Sequence, residues 1–252
     1  MIISEAIWIA LLGSVAGLMI GCIGIGGVIL VPALVFLAGL PIQTAIPAAM
    51  FAYILSGLVA TIVFARHKSI DWGMAFWLCI GATPAAFAGA WAVSVFNGRL
   101  LEAVLGLLTF LSGLNSLRKP QAASGHDAKV SNNVLLGVGG VTGFLSSVTG
   151  TGGPLVLVPI MIAMNVPVLT GVGLSQAIQL PVAVAATVGN VLYGKVDFVL
   201  GGILAASLTV GSWYGAKLAH SVPRATLRAI VSAVLIVIGA FILGNVGWRL
   251  MG

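Results

Sequence analysis

The chain has 252 residues, of which 60% are hydrophobic and 6% are charged. A soluble domain of this length carries roughly 60 charged side chains, whereas this one has eleven Lys or Arg and five Asp or Glu. That excludes an ordinary soluble enzyme or binding module, and the hydrophobicity excludes a disordered chain, which leaves a polytopic membrane protein.

The charges punctuate the chain. None lies between Glu5 and Arg66, or from Val130 to Gly194. The shorter runs Trp72–Gly98, Ala103–Leu117, Phe198–Ala216 and Ala229–Trp248 are also uncharged. Continuous apolarity predicts membrane helices and excludes an outer-membrane barrel, whose strands alternate over ~10 residues. In chain order the predicted segments are 5–22, 28–39, 43–65, 72–95 and 99–118, then 132–148, 154–165, 168–193, 198–219 and 225–248. The segment at 5–22 is expected to be retained, because Met1-Ile2-Ile3-Ser4-Glu5 offers no positive region of a cleaved signal. Segments 28–39 and 154–165 are short. About 12 residues reach roughly 18 Å, against an apolar slab of ~30 Å. Each carries a proline near its start, Pro32 or Pro159, and reads as a half-helix.

The two sets of five repeat each other. Gly24-Ile25-Gly26-Gly27 returns 126 residues later as Gly150-Thr151-Gly152-Gly153. Ile29-Leu30-Val31-Pro32 matches Val156-Leu157-Val158-Pro159, and Ile70-Asp71-Trp72 matches Val196-Asp197-Phe198. The expected organisation is a first transmembrane repeat over 1–118, a polar linker over 119–131 and a second repeat over 132–252. An odd number of crossings per repeat places eight Lys or Arg on one side and three on the other; an even number gives at best seven to four. Basic residues favour cytoplasmic loops. The sequence therefore predicts an all-α membrane protein of two inverted repeats, with the linker in the cytoplasm and both termini outside. Short broken helices in matching positions are the plan of many secondary transporters.

The Gly motifs are the candidate site. Glycines also pack membrane helices closely, but two clusters at matching places ahead of proline-containing half-helices point to a ligand. A helix start offers unpaired N–H groups and partial positive charge, and Gly lets a ligand reach the backbone. Two facing starts would hold a small anion without Lys or Arg. The candidate binding residues are Gly24, Gly26, Gly27, Thr149, Gly150, Thr151, Gly152, Gly153, Gln176 and Gln179. Ser146, Ser147, Ser175 and Asn190 are nearby polar residues of the second half. The first half is poorer, offering Thr44, Tyr53, Ser56 and Thr61. Gln176 and Gln179 share a helix face, although buried amides also bridge helices.

Other patterns read structurally. Asp71 and Asp197 precede helices and read as N-caps. Cys22 and Cys79 lie in apolar runs and read as free thiols. No His, Cys or carboxylate has metal-ligand spacing, and no metal or cofactor is expected. The Gly motifs lack the strand, the acidic residue and the Walker lysine that nucleotide sites require. The long apolar windows hold no catalytic constellation, so an enzyme is not expected. Scattered basic residues do not form a nucleic-acid surface.

Through the two Gly motifs with Val31-Pro32 and Val158-Pro159, and through Gly194-Lys195-Val196-Asp197, the chain resembles the TauE/SafE permeases, the sulfite-exporter-like membrane proteins. The resemblance runs over nearly the whole length. It implies a permease for a small sulfur-containing anion such as sulfite or an organosulfonate. A proton or cation as coupling partner and a location in the bacterial inner membrane are the accompanying expectations. The family pattern often has three consecutive glycines; here Val28 and Pro154 interrupt it. The first copy is also one residue shorter between its glycines and its proline, which predicts a shifted first half-helix. A channel-like or scaffold membrane protein is the alternative.

Overall fold

The computed structural model describes residues 3–23, 27–117, 130–218 and 224–251. Among them the structure is all-helical: α1 (Ile3–Ile23), α2 (Gly27–Phe36), α3 (Ile42–Arg66), α4 (Trp72–Val95), α5 (Gly98–Leu117), α6 (Asn132–Thr149), α7 (Pro154–Ala163), α8 (Val168–Tyr193), α9 (Phe198–Leu218) and α10 (Arg224–Met251). These are the ten predicted segments, within a few residues at each end. The predicted linker lies almost wholly outside the described residues, as do Gly24 and Gly26. Among the described residues, three helices are long and apolar enough to cross a membrane: α3, α4 and the Leu169–Tyr193 part of α8. The outer surface carries Leu192, Trp213, Val237 and Trp248, each more than 60% exposed. Water would not tolerate so many large apolar groups in one surface; lipid would.

Local chemistry sets the boundaries. Asp71 Oδ1 accepts from the Met74 amide at 3.0 Å, and Asp197 Oδ1 from the Leu200 amide at 2.9 Å, so both aspartates are N-caps. The half-helix α2 stops at Phe36, short of the expected residue 39. Gly39 turns left-handed there (φ 68°), and the Leu37, Ala38 and Leu40 amides close onto the Ala33 and Leu34 carbonyls. Asn165 does the same after α7 (φ 61°), with the Val166 amide on the Met161 carbonyl. Each half-helix has ten residues with proline at its sixth position. The one-residue difference between the copies is therefore absorbed before the helix starts. Proline frees the carbonyl four residues earlier; for Pro159 that is Leu155, and Ser112 Oγ of α5 lies 3.5 Å from its oxygen.

The packing follows the repeat. On α6, Gly139 and Gly143 lie against Leu78 and Ala82 of α4. On α1, Gly13 and Gly17 lie against Leu204 and Leu208 of α9. Every member of the second set sits 126 positions from its match in the first. Both contacts are parallel, since rising numbers meet rising numbers: Gly81 meets Leu136, and Gly89 meets Phe144. Small residues are required here because the backbones approach to van der Waals contact. Two other contacts pair an element with its own counterpart. The α3–α8 contact is antiparallel, with Gly57 beside Leu180 and the Thr61 hydroxyl on the Gln176 carbonyl at 3.0 Å. The α5–α10 contact is also antiparallel: Gly106 meets Ile242 and Gly113 meets Ile236. Glycines 113 and 239 are 126 apart and pack on Ile236 and Phe110, themselves 126 apart.

Candidate functional site

Gly27, the described residue of the first Gly motif, meets the second motif in the interior. At the end of α6, Gly150 is left-handed (φ 69°), and its amide and that of Thr151 both bond the Ser146 carbonyl. This is a Schellman ending, which needs glycine at the left-handed position. The chain then reverses through Gly152 (φ 77°) and Gly153 (φ 111°). A residue with a Cβ is strained at these angles. Gly153 caps the start of α7, with Pro154 in the first turn, where its missing N–H costs nothing.

Helix α2 begins at the same place. A Cβ added to Gly27 would sit 2.7 Å from the Thr151 carbonyl oxygen, so Gly27 and Thr151 touch backbone to backbone. Gly27 lies beside Tyr53, halfway along α3, and α2 runs from there to the turn that starts α3. Gly153 lies beside Ser175 and Ile178 of α8, and α7 runs from there to Met161, beside Gly171 near the start of α8. Since α3 and α8 are antiparallel, the half-helices diverge from one junction in opposite directions. Both positive helix ends point into it.

Not every predicted residue serves the junction. Gly27, Thr151, Gly152 and Gln179 converge there. A Cβ at Gly152 would lie 3.5 Å from Gln179 Nε2, and Gln179 Nε2 lies 3.4 Å from Ser56 Oγ across the α3–α8 contact. The hydroxyls of Thr149 and Thr151 are 2.9 Å apart. Thr149 gives its proton to the Leu145 carbonyl at 2.7 Å, so Thr151 is the donor of the pair. Both hydroxyl protons are thus committed within the protein rather than offered to a ligand. Gly150 packs against Val31 and Ile46 and works as a helix terminator. The Gln176 side chain is buried, and its Oε1 has no partner among the described residues. Pro32 and Pro159 lie inside the half-helices. No group of three or more His, Cys, Asp or Glu that could hold a metal occurs among the described residues.

The sequence reading undervalued Tyr53. It is fully buried, and its hydroxyl donates to the Gly27 carbonyl at 2.9 Å. Its ring edge is 3.2 Å from where a Gly152 Cβ would be. The first half therefore also brings a polar group to the junction.

The chain matches no solved structure. It is 26% identical to "Probable membrane transporter protein YunE" of Bacillus subtilis, over 92% of this chain and 94% of that one. It is also 26% identical to "Probable membrane transporter protein MJ0441" of Methanocaldococcus jannaschii, over 92% and 93%. "Probable membrane transporter protein YdhB" of Bacillus subtilis is 27% identical over 85% and 91%. The family model described as "Sulfite exporter TauE/SafE" matches residues 9–242, nearly the whole length, and the chain belongs to that family.

Proposed function

We propose that this protein is a secondary transporter, a permease that carries a small anion across the membrane by alternating access. The anion is sulfite or an organosulfonate, the site is the junction of the two Gly motifs, and a proton or cation is the coupling partner. The observation that carries this reading is the contact between Gly27 and Thr151, where the starts of α2 and α7 face each other without a charged side chain. An anion there is held by backbone N–H groups and helix dipoles, with the Gln179 amide as a neutral donor. A membrane-buried cation site would call for an acidic residue, and none lies in α2, α3, α7 or α8.

The two repeats, 1–118 and 132–252, are inverted in this account. A twofold relation that brings α3 onto α8, and α5 onto α10, must reverse both, because both pairs are antiparallel. Its axis then runs across the helices, in the membrane plane. The same reasoning puts the end of α3 and the end of α5 on one side, the cytoplasmic one by the basic residues that follow them in the sequence. The family and the relatives' names support transport in a cell membrane, which we take as the bacterial inner membrane.

A thermal-shift panel on purified protein tests the substrate class. A sulfur oxyanion or sulfonate at about 100 times its dissociation constant should raise the melting temperature by roughly 5 °C through mass action. The same salt with the anion replaced by chloride should do nothing. A shift that follows the cation instead would overturn the anion reading.

A further inference from the structure

We propose that Tyr53 is the residue that closes the site and then binds the substrate: its hydroxyl exchanges the Gly27 carbonyl for the anion. This rests on the anion reading above. The Tyr53 ring occupies the space between the motifs, beside Gly27 on one side and Gly152 on the other. An anion approaching both helix starts must therefore displace it. The displaced hydroxyl stays on the junction and is the donor there whose proton passes directly from a carbonyl to a ligand. The threonine protons are held by the Leu145 carbonyl and by Thr149. A hydrogen bond to an anion is about twice as strong as one to a neutral carbonyl, so the exchange favours the bound state.

The repeat supplies an independent argument. Tyr53 and Gln179 are 126 positions apart, at the same place in α3 and α8, and both reach Gly152. Each half thus sends one neutral donor to the junction from matching positions. The tyrosine is the larger of the two and can also block the space. Together with the helix starts they bring neutral N–H and O–H donors to one place, which suits the several acceptor oxygens of an oxyanion.

The test is uptake of radiolabelled sulfite and of methanesulfonate into proteoliposomes containing the full chain. Tyr53→Phe keeps the ring and removes the donor. Its half-saturation concentration should rise about tenfold, the loss expected for one charge-assisted hydrogen bond offset by the carbonyl bond given up. Its maximal rate should stay the same or rise, since the closed state loses its fastening. Tyr53→Gln, which copies the other half, should recover part of the affinity. A Tyr53→Phe protein with wild-type half-saturation, or with only its maximal rate or yield reduced, overturns the proposal. Gly27→Ala run in parallel separates the two readings. If it stops flux while Tyr53→Phe keeps wild-type half-saturation, only the role of Tyr53 is wrong; if it transports normally, the site itself is wrong.

Discussion

Gly27→Ala is expected to lower transport by up to about 100-fold while the protein still folds and inserts. The methyl group would sit 2.7 Å from the Thr151 carbonyl oxygen and 3.1 Å from the Tyr53 hydroxyl. The first of these is main chain, so the neighbour cannot simply rotate away, and the two motifs must separate by several tenths of an ångström. Displacement on the scale of ~1 Å at a reacting or binding centre can cost about 10²-fold. Alanine suits a helix start no worse than glycine does, so the helix itself survives. The check is flux per molecule of monodisperse protein. A wild-type rate would mean that the contact of the motifs plays no part in binding.

Gly143→Leu is expected to fail at the level of folding. Even the Cβ would press on the backbone of Ala82, lying 2.7 Å from its Cα. The rest of the leucine has nowhere to go but between α4 and α6. Overpacking a well-filled core costs about 1–3 kcal/mol, and here the obstacle is main chain along the widest cross-half contact. Little monodisperse protein should be recovered after extraction, with a clearly lower melting temperature for what remains. Gly17→Leu should do the same at the α1–α9 contact, against Leu208. Wild-type yield and melting from either variant would contradict the packing described here.

These two glycines mark where the sequence is legible and where it is not. The ten segments could be read because charge is almost absent within a bilayer-spanning stretch and returns between stretches. The half-helices could be read because length, glycine and proline all pointed the same way. Which glycines pack helices and which build the site could not be read from their identity. Gly143 and Gly27 look alike in a chain with 34 glycines, and only the partner differs: a neighbouring helix for one, the other motif for the other. Gly150 was placed in the site by its motif, yet its backbone angle and the Ser146 carbonyl make it a helix ending. Thr151 was expected to offer a hydroxyl, which Thr149 takes up. Tyr53 stands in the sequence only among the sparser polar residues of the first half, with Thr44, Ser56 and Thr61, and nothing in its identity sets it apart from them. The available signal is its register, since it falls 126 positions before Gln179, one of the two glutamines already among the candidate binding residues.

The scarcity of ionised side chains bears directly on the proposed mechanism: with none in the half-helices or in the middle of α3 and α8, an anion at the junction would have to be held by backbone dipoles and neutral donors. The most direct test is the concentration dependence of sulfite flux in proteoliposomes under an imposed gradient. The account predicts saturable flux that methanesulfonate inhibits by competition and that drives one species uphill when the other runs downhill. Flux that rises linearly with concentration, without competition or exchange, would identify a passive pore and contradict alternating access around a bound anion.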